Sequence, residues 1–419
     1  MKVRISRKGL KKYLREVKYN YTMARILTIL LIFLLGVPPV SCRNRISGGQ
    51  EAVTVVTGAG QPEQYLPLLK GKNVGLVVNH TARVGEKHLL DFLLEQGVEV
   101  ARIFAPEHGF RGEASAGEKV ADGRDETTGV EIVSLYGEHR KPSPAQLEGL
   151  DILVFDIQDV GCRFYTYLST LCLVMEACAE NGVPLVVLDR PNPNGDYVAG
   201  PLLKPAFTSF VGMVPVPVVH GCTLGEMALM INGEKWHKAP TACDITVIKV
   251  RNYSHLTRYA PPVAPSPNLP NYSSVRLYPS LCFFEATSVS IGRGTPFPFQ
   301  VIGGTRPELG SFTFVPEDIA GFVNNPINEG KTCYGTDLRT LDPVPPFTFS
   351  FFLEFYKKYP TEKEFLTSER WFNLLSGDDR VLQAIREGKS ETEMATLWHD
   401  DLEAFKITRR KYLLYPDFE

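Results

Sequence analysis

The stretch VEVARIFAPEHGFRGE, residues 98–113, passes from a short apolar run into Pro106-Glu107-His108-Gly109-Phe110-Arg111-Gly112. Val98 to Phe104 reads as a buried strand, and the Pro and Gly that follow read as a loop leaving its carboxyl end. In an open α/β sheet, ligands bind outside the carboxyl ends of the strands. This loop would therefore present a carboxylate, an imidazole and a guanidinium at a natural catalytic position. Taken alone, the stretch is equally compatible with a surface ion pair between Glu107 and Arg111 beside a loop histidine.

Outward from this strand the pattern repeats. Asn73 to Asn79 (NVGLVVN) is a second apolar run, and Leu89 to Gln96 between the two reads as a helix. Downstream, a Gly-rich excursion (Arg111 to Gly129) leads to a short strand, Glu131 to Leu135, ending at Tyr136-Gly137. Asp151 to Asp156 (DILVFD) is a strand, Tyr167 to Asn181 a helix, and Pro184 to Asp189 (PLVVLD) a further strand. Strand and helix alternating at this spacing specify a mostly parallel sheet covered on both faces, a Rossmann-like α/β architecture. The dinucleotide fingerprint is missing, because Gly58-Ala59-Gly60 is followed by Glu63 where a third Gly would fall, and there is no Walker sequence or GxSxG elbow. From about Pro201, Pro-rich connections (Pro261, Pro262, Pro265, Pro267, Pro270) alternate with short strands and helices such as Leu224 to Asn232. The expected organisation is an export segment at 1–42, a Rossmann-like catalytic domain at 43–200 and a smaller α+β domain at 201–419. Thr361 to Tyr412 is charged and helical in pattern, most simply a solvated face.

The 419 residues carry 44% hydrophobic and 22% charged side chains, ordinary for a globular protein. Residues 1 to 25 hold nine Lys or Arg against Glu16; taking that surplus of eight from the formal net charge of −2 leaves −10 for the rest. A mildly acidic body argues against nucleic acid as partner. Ile26 to Val37 is too short for a comfortable membrane span, and with its basic flank it has the shape of a secretory signal. Ser41-Cys42 resembles a bacterial lipoprotein cleavage site, so membrane attachment through a lipidated Cys42 is expected, with simple secretion or an uncleaved anchor as alternatives. The other seven cysteines (Cys162, Cys172, Cys178, Cys222, Cys243, Cys282, Cys333) show no CxxC or Cys/His ligand spacing. Neither a zinc site nor a disulfide framework is expected, and no cofactor is called for. Oligomeric state is not legible.

Three strand-end clusters recur. They are Glu107, His108 and Arg111; then Asp156, Gln158 and Asp159 leading to Arg163, Tyr165 and Tyr167; then Asp189, Arg190 and Asn192. Parallel strands share one rim, so the clusters should converge. A buried network fixing the loops is the competing reading of Asp156, Asp189 and Arg190. The second domain adds His220 and the run Thr223-Leu224-Gly225-Glu226, in which Glu226 either completes a capping box or takes part in catalysis. Asn268 in PSPNLP, and Glu285 with Gly292-Arg293-Gly294, are further polar groups in apolar sequence. Carboxylates among Asn, Arg, Tyr and His suit saccharide chemistry. A glycosidase commonly sets an acid at the leaving oxygen against a second carboxylate, or against the substrate's own acetamido oxygen.

The runs FAPEHGFRG, TGVEIVSLYG, DILVFDIQDVGCRFYTY, LDRPNPNG, VPVPVVHGCTLGE, PSPNLP and FEATSVSIGRGT resemble the NamZ-type exo-β-N-acetylmuramidases of bacterial cell-wall recycling, formerly grouped as a domain of unknown function. They cover residues 70 to 300 densely. The resemblance implies a Rossmann-like domain joined to a smaller one with the site in the cleft between them, and release of N-acetylmuramic acid from the non-reducing end of peptidoglycan fragments. It makes Glu107 the catalytic residue, expected to protonate the glycosidic oxygen, and puts His108 and the DIQDVG, RFYTY and HG runs in the pocket. The sequence departs from the family near Glu285, with Ala286 and Ser288 where Gly and Asn are expected. Asp156, Asp159 and Glu226 are the candidates for a second catalytic group. Arg111, Arg163 and Arg293 are candidates for holding the lactyl carboxylate that distinguishes muramic acid from GlcNAc. Two alternatives stay open: a non-catalytic muropeptide-binding lipoprotein, and a metal-dependent hydrolase using His108, His220, Asp156 and Asp159.

Overall fold

The computed structural model describes residues 54–111 and 122–419; the basic segment, the apolar run with Cys42 and residues 112–121 of the Gly-rich excursion lie outside the described residues. Thr54–Glu419 forms one compact unit. In chain order the strands that its first part gives to the main sheet are β1 (Asn73–Val78), β2 (Glu99–Ala105), β3 (Gly123–Arg124), β4 (Glu131–Ser134), β5 (Ile152–Asp156) and β6 (Leu185–Leu188). An antiparallel ribbon of β7 (Ala199–Leu202) and β8 (Pro217–Val219) follows, and β9 (Ile245–Ile248) then returns to the sheet. The sheet runs β9-β6-β5-β1-β2-β4-β3, parallel throughout except for β3. Counted along the chain, its six parallel strands lie in the order 3-2-1-4-5-6, the Rossmann arrangement, and the order reverses between β1 and β5.

The strands are buried on both faces, and their period of two divides the core. Val74, Leu76 and Val78 of β1 pack with Ile152 and Val154 against α1 (Pro62–Leu69) and α2 (Leu89–Glu95). Val77, Leu153 and Phe155 face the other way, toward α3 (Tyr167–Asn181) and α4 (Leu224–Gly233). α3 covers the span read from the sequence and stops at Gly182, whose φ of 67° is the left-handed cap that glycine takes without strain. The Thr223–Glu226 capping box at the start of α4 is formed.

The remainder begins at α5 (Tyr272–Leu281), capped by Asn271. A three-stranded antiparallel sheet follows, of β10 (Val301–Gly304), β11 (Phe312–Phe314) and β12 (Cys333–Asp337), with β12 central. Then come α6 (Ser350–Lys358), α7 (Glu369–Ser376), α8 (Arg380–Arg386) and α9 (His399–Arg410). Phe283, Phe284, Phe349, Phe352, Phe365 and Phe372 stack edge-on or tilted into its core. β9 comes from beyond residue 200, where the sequence reading divides the domains, and pairs in register with β6. The C-terminal tail also returns to the sheet rim, where Leu414 donates its amide to Glu226 at 2.8 Å. All seven cysteines of the described residues are free and buried, and no helix among those residues is long and apolar enough to cross a membrane.

Candidate active site

Glu107 is the second residue beyond β2. After Pro106 the chain turns through His108 and Gly109, both left-handed with φ of 69° and 75°, an excursion uncommon for a histidine and found chiefly where surroundings enforce it. Tyr167, at the first turn of α3, holds the loop: its hydroxyl accepts from Asn79 Nδ2 at 2.9 Å and reaches the Glu107 carbonyl at 3.4 Å. Thr166, at the N-cap position of α3, donates its hydroxyl to Glu107 Oε2 at 2.7 Å. β2 and the start of α3 thus fix a half-buried carboxyl from two sides. Burial first, then the Glu107 carboxylate, push the phenol of Tyr136 above its ordinary value.

Glu107 opens onto a cleft of about 600 Å³. Its sheet-side wall is Glu107, Tyr136, Arg140, Phe164 and Thr166; the opposing wall is Tyr278, Glu285, Arg293, Trp371 and residues 323–327. The cleft therefore lies between the Rossmann-like part and the C-terminal part, where the family resemblance implies a site. Glu285, in the 3-10 turn after α5, is the second carboxylate on its wall. Its Oε1 accepts from Arg293 Nη2 at 2.5 Å, and that guanidinium lies 4.9 Å above the Phe299 ring. Asn268 donates to the Phe322 carbonyl at 3.0 Å and so positions the wall at 323–327 without lining it.

The other expected site residues are buried in the framework. Asp156 is fully buried and paired bidentately with Arg190, with Arg190 Nη2 at 2.9 Å from its Oδ2. Asp189 accepts from Thr223 Oγ1 at 2.7 Å, the Gly225 amide at 2.8 Å and the Tyr415 hydroxyl, and burial pushes its carboxyl up to about 6. Glu226 serves its capping box, and its Oε1 also lies 3.0 Å from His255 Nε2. Gln158 donates to the carbonyls of Asp159 and Pro191, and Asn192 to that of Cys222. Gly161 packs so tightly on Asn192 that a Cβ there would come within 2.1 Å of the amide oxygen. Tyr165 is buried edge-on against Tyr167. His220 is buried with Nδ1 accepting the Cys222 amide at 3.2 Å; burial, followed by Arg409, lowers it to about 3. Asp159 is buried too. Its Oδ2 accepts from the Gly161 amide at 2.6 Å, and burial pushes the carboxyl up to about 7.

The cleft wall draws on some of the candidates read from the sequence and leaves others in the framework. Asp156, Asp159 and Glu226, the candidates for a second catalytic group, are absent from the cleft wall, whereas Glu285, read there as a sugar contact, lines it. Of the arginines proposed for the lactyl group, Arg111 is committed to Asp125 through two hydrogen bonds of 3.0 Å, and Arg163 is buried on four main-chain carbonyls. The Arg111–Asp125 pair also displaces the surface pair with Glu107 as a reading of that loop. His108 is buried and off the wall. Sequence reasoning missed Arg140, Phe210 and Trp371, which carry no motif. Tyr136 was within its reach, since it follows a parallel strand as Glu107 does. Among the described residues, no three His, Cys, Asp or Glu side chains gather as metal ligands would, so His108, His220, Asp156 and Asp159 do not form such a set.

Fold and cleft together define a Rossmann-like protein with a carboxylate-bearing, saccharide-type cleft against a C-terminal α+β part. Residues 74–273 match the family model described as exo-β-N-acetylmuramidase NamZ, N-terminal, and residues 276–415 match its C-terminal counterpart. The chain belongs to this family, as the motifs imply. It is 38% identical over 374 residues to the peptidoglycan β-N-acetylmuramidase NamZ of Bacillus subtilis (strain 168), spanning 84% of this chain and 89% of that protein. Crystal structures of two DUF1343 family proteins from Bacteroides fragilis NCTC 9343 share the fold. One has a TM-score of 0.80 at 45% identity, covering 87% of this chain and 99% of its own; the other has 0.73 at 28% identity, covering 86% and 99%.

Proposed function

We propose that this protein is an exo-acting glycoside hydrolase that releases N-acetylmuramic acid from the non-reducing end of peptidoglycan fragments, at MurNAc-β-1,4-GlcNAc linkages. The observation that carries the reading is the Glu107 carboxyl, fixed by Thr166 on the wall of a saccharide-sized cleft in a chain of the NamZ family. Glu107 acts as the general acid, protonating the glycosidic oxygen as the bond to the anomeric carbon breaks. Glu285, the second carboxylate of the wall and matched in charge by Arg293, is the group we assign to stabilising positive charge at that carbon. Trp371 and part of Tyr278 add aromatic surface to the wall beside the sugar.

The basic segment, the apolar run and Ser41-Cys42 support export, with attachment through a lipidated Cys42 on the periplasmic side or at the outer membrane. That location would bring the cleft to its substrate. Incubation of the purified protein with MurNAc-β-1,4-GlcNAc, with free MurNAc followed by mass spectrometry, tests the activity. Release of MurNAc is expected; tight binding without release would support a sugar-binding lipoprotein instead.

A further inference from the structure

Muramic acid differs from GlcNAc by a lactyl ether whose carboxylate is charged at neutral pH. A site that selects it needs a cation left uncommitted by the fold, because an arginine already paired has few donors to offer. The cleft wall holds two cationic side chains among the described residues, Arg293 and Arg140. Arg293 is spoken for by Glu285. Arg140 is exposed, and no carboxylate of the described residues lies within ion-pair distance of it.

What holds Arg140 is an aromatic face. Its guanidinium carbon sits 4.3 Å from the centre of the Phe210 ring, and Phe210 is itself on the cleft wall. A ring contact of this kind is not an ion pair, so the in-plane N–H donors of the guanidinium stay available for a planar partner. That is the geometry in which arginine grips a carboxylate with two parallel hydrogen bonds. The segment is also anchored on both sides. Tyr136, 6.3 Å from Phe210 between ring centres, lies beside Glu107, while Lys141 is tied to Glu176 and Glu180 of α3 at 2.7 and 2.8 Å. Arg140 therefore stands on the Glu107 side of the cleft, near the sugar whose bond is broken.

We infer that Arg140, held over the Phe210 ring, reads the lactyl carboxylate and sets the preference for muramic acid over GlcNAc. The inference deepens the muramidase reading and rests on it. The test is a cycle between residue and ligand group in the full-length protein. kcat/KM is measured for wild type, Arg140→Ala and Arg140→Lys on an aryl β-N-acetylmuraminide and on the same compound with its lactyl acid converted to the methyl amide.

Removing a charge-assisted bidentate contact should lower kcat/KM on the acid by about 10- to 100-fold, mostly through KM. The wild type should lose a similar factor on the amide, Arg140→Ala should treat acid and amide alike, and Arg140→Lys should recover part of the preference. Equal losses on acid and amide, or no loss on either, would overturn the assignment. Calorimetric Kd values of the same three proteins for free MurNAc and GlcNAc give a reading independent of turnover. A wild type that holds MurNAc without hydrolysing muraminides would sink the muramidase reading alone. Arg140 would then stand or fall on whether Arg140→Ala abolishes the preference for MurNAc.

Discussion

Replacing Arg163 by Met asks whether the arginine of the RFYTY run binds substrate or holds the two parts of the protein together. Its side chain is 1% exposed, and it meets no carboxylate within ion-pair distance among the described residues. Nη1 donates to the carbonyls of Pro201 and Val216 at 2.8 and 2.9 Å, and Nη2 to those of Leu375 and Ser376, both at 2.7 Å. Gly377 makes the space, since a Cβ there would lie 2.8 Å from Nη2. Burial holds the guanidinium down at about 10, a sign of how much desolvation the four carbonyls offset.

Each hydrogen bond from a charged donor is worth about 1.5–3 kcal/mol, and its loss leaves a buried carbonyl unsatisfied. Relief of the buried cation and the apolar fit of Met return part of that. The expected net cost is about 3–6 kcal/mol, a large share of the roughly 5–15 kcal/mol that keeps a domain folded. Urea denaturation followed by circular dichroism should show a midpoint far below the wild type, while the folded fraction keeps its KM for muramides. An unchanged midpoint together with a KM raised only for muramides would refute the structural role and return Arg163 to the substrate.

Two further substitutions probe the same framework. Arg190→Ala strands the fully buried Asp156 carboxyl and should cost about 3–5 kcal/mol in chemical denaturation, with the Arg190→Ala, Asp156→Leu pair recovering part of it. Asp159 has a folded value near 7 against an ordinary 3.8, so the folded protein keeps a proton that the unfolded chain has released. Its contribution to stability is present below about pH 4 and is lost as pH rises toward 7. His220, lowered to about 3, works in the opposite sense: its contribution is present above about pH 6.5 and is lost as pH falls toward 3. Asp159→Asn should remove the first slope from a stability-against-pH curve and His220→Gln the second; curves parallel to wild type would show that neither group titrates as its burial requires.

The parallel sheet was legible because strands covered on both faces are written as unbroken apolar runs, and NVGLVV and ILVFD leave no other reading. β9 was not, since Ile245–Ile248 lies at the sheet edge with only Ile248 buried and so carries no such run. The strand-end rule located Glu107 and then claimed too much. Every strand end carries polar residues, but beyond β5 and β6 they are consumed in closing the fold: Asp156 on Arg190, Asp189 on Thr223 and Tyr415, Asn192 on the Cys222 carbonyl. A tail returning from residue 415 to cover that rim leaves no mark in the local sequence around Asp189. The ends of β2 and β4 open to the cleft together with Phe164 and Thr166 at the entry to α3, and the remaining wall is gathered from Phe210, Glu285 and Trp371, far apart along the chain. Of these, Glu285 alone stood out, because a charged residue in an apolar run calls for a partner.

Glu107 is the residue on which the proposed chemistry turns. Turnover of MurNAc-β-1,4-GlcNAc should be measured for wild type and Glu107→Gln, with equal denaturation midpoints confirming that both are folded. An amide keeps the size of the side chain and can still meet Thr166, but it has no proton to give the leaving oxygen, and the release of MurNAc should fall by about 100- to 10,000-fold. Near-normal release by the folded Glu107→Gln protein would contradict the account and move the acid elsewhere on the cleft wall.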